Sequence, residues 1–356
     1  MKILLLGLPA LKDGFRELGH EVLTCPTDNT GDIQVPEWPI SIDRLWHCLP
    51  KRWDPDLVLL TDESTHPLFF GLERLEVPLG WYAIDSHIHH RWHQAYAAAF
   101  DAIFVAQRDF IPSYMRDESR QTVRWLPLFA PIIPAVDEDN PRVHDLSFVG
   151  SMNPAHNPTR CQFLRMLQAA FPLHVSTGDY CSVFTRSKMI LNQCVNNDMN
   201  FRTFEAMACG GLLLMERVGN GLEELFQDKT HCAMYEKGNI DEVIQIAEYY
   251  ASHREEREAI AERGRSEVRE KHTAVHRAQS ILDSFEAMDA QYILRQRRDR
   301  QGEILFLLAS IYEYCASCYD GISQWPQDNP SRSRRYVEVG KRYRELSHQI
   351  HHEIGV

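Results

Sequence analysis

Asn200–Glu216 reads NFRTFEAMACGGLLLME. Phe201, Phe204 and Ala208 recur at helical spacing and predict one apolar helix face. Arg202 and Glu205, three residues apart, share a different face of the same helix. Gly210 and Gly211 then stop it, because a chain leaving a helix usually needs a residue with left-handed φ. Leu212–Met215 is short and wholly apolar, as suits a strand buried in a parallel sheet. A helix so placed directs its free N–H groups and about half a positive charge at whatever lies before Asn200, a good seat for phosphate.

The same rhythm extends in both directions. Leu146–Val149, Leu173–Ser176, Met189–Asn192 and Cys232–Tyr235 read as companion strands with helices between them. Phe148-Val149-Gly150-Ser151 ends the first of these. Glycine there lets a ligand approach the backbone, at the strand end where open α/β sheets bind ligands. Nearer the N-terminus, Lys2–Leu6, Leu11–Gly19 and Glu21–Cys25 give strand, helix, strand, the start of a Rossmann-like domain. The Gly7–Pro9 loop lacks GxGxxG, so no dinucleotide fingerprint is present. Residues 26–52 read as an irregular insertion, and Asp56–Leu60, Leu79–Ile84, Ile103–Ala106 and Thr122–Leu126 as further strands. Pro127–Pro141, with the acidic run Asp137–Asp139, has the composition of a linker.

Beyond Asp241 the chain becomes helical. Arg254–Arg269 alternates charge signs and reads as a solvated face. Residues 287–325 and 331–352 predict two long helices. The stripe Ile304, Leu305, Leu308, Ile311, Tyr312 and Cys315 needs a cover, either by returning to the first domain or by forming a homodimer.

At 356 residues the chain suits two domains rather than one core. Hydrophobic content of 44% with 25% charged residues describes an ordinary globular composition. A net charge of −12 argues against general nucleic-acid or anionic-membrane binding. Nine cysteines without framework spacing fit a reducing, cytoplasmic setting. The single CxxC, Cys315 and Cys318, lies in a helical stretch and reads as structural. No run approaches the roughly 20 apolar residues of a membrane span.

FEAMACGG followed by an apolar strand resembles the donor-sugar half of GT-B glycosyltransferases, especially the CgeB-like or spore-protein-like group. The resemblance spans roughly residues 1–285. It implies an α/β GT-B fold, two Rossmann-like domains facing a cleft, with a C-terminal helical extension. The expected divisions are 1–130 for the acceptor, 131–142 as linker, 143–285 for the nucleotide-sugar, and 286–356 as helical tail. In that family the residue matching Glu205 holds the ribose hydroxyls.

Two departures matter. Many such enzymes place arginine directly after the glycine that matches Gly150, to neutralise the diphosphate, and here Ser151 stands there. Arg160, Arg186 and Lys188 are then the candidates, since two cations near a diphosphate stabilise a phosphoryl leaving group. Retaining families also carry glutamate eight residues before the ribose-binding one, where this chain has Asn197. Asn197, Asp198 and Asn200 can hydrogen-bond sugar hydroxyls or cap the helix. Arg202 completes the donor-binding group, and Gly7 is expected on a loop near the cleft.

Asp85-Ser86-His87-Ile88-His89-His90 follows a predicted strand. Asp85 and His87 are the candidates to accept an acceptor hydroxyl's proton. His87 with His89, or His89 with His93, has metal-ligand spacing, yet no partner carboxylate or cysteine is placed by the sequence. No metal and no cofactor is expected. The reading implied is a glycosyltransferase moving a sugar from a UDP-linked donor, with retention, to an acceptor that is a glycan, protein or small molecule. Its rivals are a nucleotide-sugar epimerase or hydrolase, and a binding or scaffolding protein.

Overall fold

Long apolar runs bounded by polar turns become strands buried on both faces, as parallel sheets require. The computed structural model describes residues 1–115, 121–133, 141–155, 157–323 and 330–355. The acidic run expected in a linker, Asp137–Asp139, lies outside them.

In chain order the elements begin β1 (Lys2–Gly7), α1 (Lys12–Glu17), β2 (Glu21–Cys25), β3 (Ile40–Ser41), α2 (Ile42–Cys48), β4 (Leu57–Thr61) and β5 (Phe69–Phe70). Next come β6 (Leu79–Ala83), α3 (Ser86–Tyr96), β7 (Ala102–Val105), α4 (Ile111–Tyr114) and β8 (Thr122–Trp125). The chain continues through β9 (His144–Val149), α5 (Pro158–Ala170), β10 (Leu173–Ser176), α6 (Tyr180–Phe184), β11 (Ser187–Asn192), α7 (Phe201–Ala208) and β12 (Leu212–Glu216). It ends with α8 (Leu222–Leu225), β13 (Ala233–Tyr235), α9 (Ile240–Ser252), α10 (Arg254–Lys271), α11 (Ala274–Glu286), α12 (Ala290–Asp299), α13 (Gln301–Ser323) and α14 (Pro330–Ile354).

The chain divides into two units. The first comprises Met1–Ala106, Phe110–Leu126 and Gln279–Val356; the second comprises Gln107–Asp109 and Pro127–Ala278. A six-stranded sheet of order β2-β1-β4-β6-β7-β8 forms the first, and a five-stranded sheet of order β10-β9-β11-β12-β13 the second. Every pairing in both is parallel. A parallel sheet needs a crossover between strands, and this is the alternation the sequence displays.

The C-terminal segment builds the first unit. Ile304, Leu305, Leu308, Ile311, Tyr312 and Cys315 are buried in its core with Val339, Tyr343 and Leu346 of α14. The apolar stripe therefore already has a cover. Arg297 of α12 donates to Asp101 at 2.5 Å and to the Val77 carbonyl at 2.8 Å, a buried ion pair that pins the helix beneath β6 and β7. The single helix expected over 287–325 is two, because Arg300 leaves helical geometry between α12 and α13.

Two expected helix faces also change. The alternating charges of α10 are not all solvated: Arg257 is buried and donates to the Tyr250 carbonyl at 2.7 Å. Ile260, Ala261, Gly264 and Val268 of α10 are buried too. α7 is buried beyond its predicted apolar face. Thr203, Phe204, Ala206, Met207 and Ala208 are all buried, so the helix is enclosed on most sides. No helix among the described residues is long and apolar enough to cross a membrane.

Candidate functional site

The second sheet presents its strand C-termini to a cluster of polar groups around Phe148. Asn192 ends β11, is wholly buried, and acts as the hub. Its amide donates to Asn200 Oδ1 and to Thr203 Oγ1, both at 3.0 Å. Its side-chain oxygen accepts from Arg202 Nη1 at 3.0 Å, and its carbonyl from the Tyr235 hydroxyl at 2.9 Å. A polar residue closing the apolar run MILN was the available signal for this hub, and it was missed.

Arg202 also donates from Nε to the Val149 carbonyl at 2.9 Å, and its guanidinium lies 4.5 Å from the Phe148 ring centre. Arg160 lies 5.5 Å from the same ring centre and donates to the Gln193 side chain at 2.9 Å and carbonyl at 3.0 Å. Two guanidinium groups thus flank one aromatic ring, in the geometry of cation–π pairs. Among the described residues neither has a carboxylate within ion-pair distance. Burial pulls Arg202 down to about 10, and the neighbouring Arg160 charge adds to the effect. Burial also lowers Arg160, against the pull of Asp198. One buried and one half-buried cation, with no carboxylate at ion-pair distance among the described residues, form a candidate anion site.

Gly150 has a reason different from the one expected. A Cβ at this position would lie 2.4 Å from Arg202 Nη2 and 3.0 Å from the Phe148 ring, so glycine makes room for the arginine. The arginine missing at Ser151 is thus supplied by α7, beside the glycine in space though far from it in sequence. Ser151 itself is exposed. Asn200 opens α7 with no side-chain cap; the Thr203 N–H turns back to the Asn200 carbonyl at 3.2 Å, which leaves the amides of Phe201 and Arg202 to an outside acceptor.

The loop before α7 is held from two sides. Gln107 accepts from the Met199 N–H at 3.0 Å and donates to the Met199 carbonyl at 3.3 Å. Asn196 and Asn197 both adopt left-handed φ, at 51° and 64°, and Asn220 donates to the Asn197 carbonyl at 2.8 Å. Asp198 accepts from the Val195 N–H at 2.8 Å and so shapes the turn.

Glu205 sits one turn along α7 from Arg202. Burial raises its carboxyl to about 7, and Arg202 opposes the rise. Among the described residues the carboxyl has no hydrogen-bond or ion-pair partner. The Tyr180 hydroxyl, buried and also without a partner, is raised by burial and then by the nearby Glu205 charge. Tyr180 went unnoticed in the sequence because nothing local marks an aromatic residue that opens a short helix.

Arg186 and Lys188 are not brought to this cluster. They lie at the opposite, N-terminal edge of β11, where Lys188 pairs with Asp145 at 2.6 Å and Arg186 is exposed. The expected strand began two residues too late, which hid the fact that the two residues enter the sheet rather than leave it.

In the first unit the corresponding strand ends carry a second polar cluster. Gly7, at φ 80°, ends β1 where a Cβ would lie 2.1 Å from the Thr61 carbonyl. Asp62 follows β4, is buried, and accepts from the Ser64 N–H at 2.8 Å and the Asp85 N–H at 2.9 Å. Burial and then the Asp85 charge raise Asp62 to about 7. Asp85 precedes α3 without capping it, and the buried Nδ1 of His87 has no partner. Ser86, Tyr114 and His93 form a buried chain, with 2.7 Å between the hydroxyls and 2.8 Å from the Tyr114 hydroxyl to His93 Nδ1. His93 Nε2 lies 3.8 Å from Asp62. The i,i+4 metal reading of His89 and His93 is not supported, since no group of three or more potential ligands gathers among the described residues. Asp62 was missed because a strand-ending acid in LVLLTD looks like an ordinary turn residue.

Residues 132–283 match a family model described as glycosyl transferase-like. The sequence has no match among curated proteins. Among solved structures, Anabaena Alr3699/HepE in complex with UDP and glucose is 12% identical and superposes with a TM-score of 0.54, covering 81% of this chain and 100% of that one. A glycosyltransferase from Rickettsia africae ESF-5 is 11% identical, with a TM-score of 0.54 and coverage of 80% and 97%. An α-glucosyltransferase solved with UDP-glucose and DNA containing an abasic site is 11% identical, with a TM-score of 0.55 and coverage of 80% and 98%. The chain therefore has the α/β fold of GT-B glycosyltransferases, and its residues 132–283 carry the match to the glycosyl transferase-like family.

Proposed function

We propose that this protein is a glycosyltransferase that moves a sugar from a UDP-linked donor to a hydroxyl-bearing acceptor. The observation that carries the proposal is the pair Arg160 and Arg202, held around Phe148 with no carboxylate at ion-pair distance among the described residues, beside the uncapped start of α7. A diphosphate supplies the missing charge, and its oxygens suit both the forked guanidinium groups and the free amides. Glu205, partnerless on the same helix, then accepts from the ribose hydroxyls. Tyr180 borders that position. Asn197, Asp198 and Asn200 shape the loop nearest the donor sugar.

The bond to the diphosphate oxygen breaks, the acceptor oxygen bonds to the anomeric carbon on the face that the diphosphate leaves, and the two arginines hold the leaving charge. Asp85 or His87 takes the hydroxyl proton. The resemblance of FEAMACGG to the CgeB-like group supports retention of configuration. The nine free cysteines support a cytoplasmic setting.

A thermal-shift panel of UDP, GDP, ADP, CMP and their sugar conjugates tests the donor half. A ligand at 100 times its Kd adds about 2.7 kcal/mol of stability. Stabilisation by a uridine nucleotide is the expected result. A folded protein that no nucleotide stabilises rejects the proposal.

A further inference from the structure

We propose that the first unit carries a separate small-molecule site, for a primary amine on an apolar body, in the cavity between the β5–β6 connection and helices α13 and α14. It goes beyond the transferase reading and does not depend on it. The cavity measures about 380 Å³, enough to enclose a small organic molecule. All of its lining belongs to the first unit, and none of it to the cluster of Gly7, Asp62, Asp85 and His87. Glu73 and Arg74 of the lining stand just before Leu75 and Val77, whose carbonyls Arg297 holds ahead of β6. They belong to chain that enters the sheet, whereas open α/β sheets take their substrates where strands leave it.

The floor is apolar. Leu308 and Tyr312 lie four apart on α13, and Leu346 and Ile350 four apart on α14, so each helix turns one stripe to the cavity. All four are buried, as is Ile42 of α2 beside them.

One polar group in this floor has nothing to bond. Tyr312 is 2% exposed, its hydroxyl has no hydrogen-bond partner among the described residues, and its oxygen keeps accessible surface at the cavity wall. Two tyrosines of the same core do find partners: Tyr96 donates to the Phe69 carbonyl at 3.4 Å and Tyr343 to the Pro67 carbonyl at 2.7 Å. Buried tyrosine hydroxyls are seldom left unmade, so the partner of Tyr312 comes from the cavity. The charges of Glu73 and Arg74 both reach this hydroxyl, and burial keeps it protonated, with an oxygen free to accept.

The charge around it selects a cation. Glu73 is a buried carboxyl whose ion-pair partner is Arg74, at 3.3 Å. Arg74 also donates to Glu353 at 2.7 Å, so one guanidinium serves two acids. Asp43 adds a third acid to the lining, and no other arginine or lysine joins it. An anion would meet three acids and a cation already engaged. An ammonium group instead donates to Glu73 and to the Tyr312 oxygen, while an apolar body covers the stripes of α13 and α14.

Ligand-observed NMR and calorimetry on the full chain test this with 2-phenylethylamine, 2-phenylethanol and 3-phenylpropanoate at about 5 mM. The three share an apolar body and differ in charge. The amine should bind, the alcohol about tenfold more weakly or worse, and the carboxylate not at all. Tyr312→Phe removes a hydroxyl that has no partner, so the thermal midpoint should hold or rise while amine affinity falls about threefold or more. Glu73→Gln keeps the side-chain shape and should abolish the preference for amine over alcohol; if that variant does not fold, Tyr312→Phe decides alone. The inference is overturned if the folded protein binds none of the three, if the alcohol or the carboxylate binds as well as the amine, or if Tyr312→Phe binds the amine like wild type. The last result would make the amine a counter-ion of the acidic surface.

Discussion

Replacing Arg202 by methionine separates a binding role from a structural one. Arg202 donates to two acceptors, the Val149 carbonyl and Asn192 Oδ1, at 2.9 and 3.0 Å. Leaving both without a donor costs about 2–4 kcal/mol. Against that, burial pulls the guanidinium down to about 10, so keeping it charged in the unliganded protein costs about 3 kcal/mol, and methionine removes this cost. The two nearly cancel. Arg202→Met should therefore unfold in urea within about 1–2 kcal/mol of wild type. Nucleotide binding has no such offset. Losing one or two charge-assisted hydrogen bonds to a diphosphate costs about 2–3 kcal/mol, or roughly 30- to 150-fold in Kd. Denaturation and calorimetry on the same samples read the two effects apart. A variant that loses well over 4 kcal/mol of stability yet binds UDP like wild type would refute the reasoning and make Arg202 a structural residue.

Other consequences follow from the same geometry. The Glu205 carboxyl sits at about 7, raised by burial against the opposing charge of Arg202, so UDP affinity should rise from about pH 6 to about pH 8 as the stronger acceptor forms. Because the folded value, about 7, lies above the unfolded 4.5, the unliganded protein should lose stability as pH rises from about 4.5 to about 7 and hold level above it; Glu205→Gln should flatten both curves, measured by calorimetry and urea melts. Tyr180→Phe removes a buried hydroxyl with no partner, so it should hold or raise the thermal midpoint while weakening UDP binding. Arg297→Met strands Asp101 in the first unit and should cost about 3–5 kcal/mol in chemical denaturation, with the second unit's nucleotide affinity unchanged. A loss under about 1 kcal/mol would show that water replaces the pair.

Much of the fold was legible because parallel sheets announce themselves. ILLL in β1, LVLL in β4 and LLLM in β12 are too uniformly apolar to be amphipathic strands, and each is buried along its apolar length. The glycine pair after α7 was legible as well: Gly210 has φ 74°. What stayed hidden depends on neighbours distant in sequence. Arg202 could be read as a helix residue, but not as the partner of Gly150 and Phe148. The same limit led Arg186 and Lys188 to be chosen, since cations before a strand look alike whichever edge of the sheet they occupy. Asp62 looks like an ordinary polar residue after a strand, because only the folded sheet brings it beside Gly7, His66 and Trp92.

Titration calorimetry of the intact protein with UDP, beside Glu205→Gln under the same conditions, tests the central claim most directly. The account predicts saturable one-site binding, weakened about tenfold or more by the substitution. Equal affinity for both proteins, or no heat from a folded wild type at about 1 mM UDP, would contradict it.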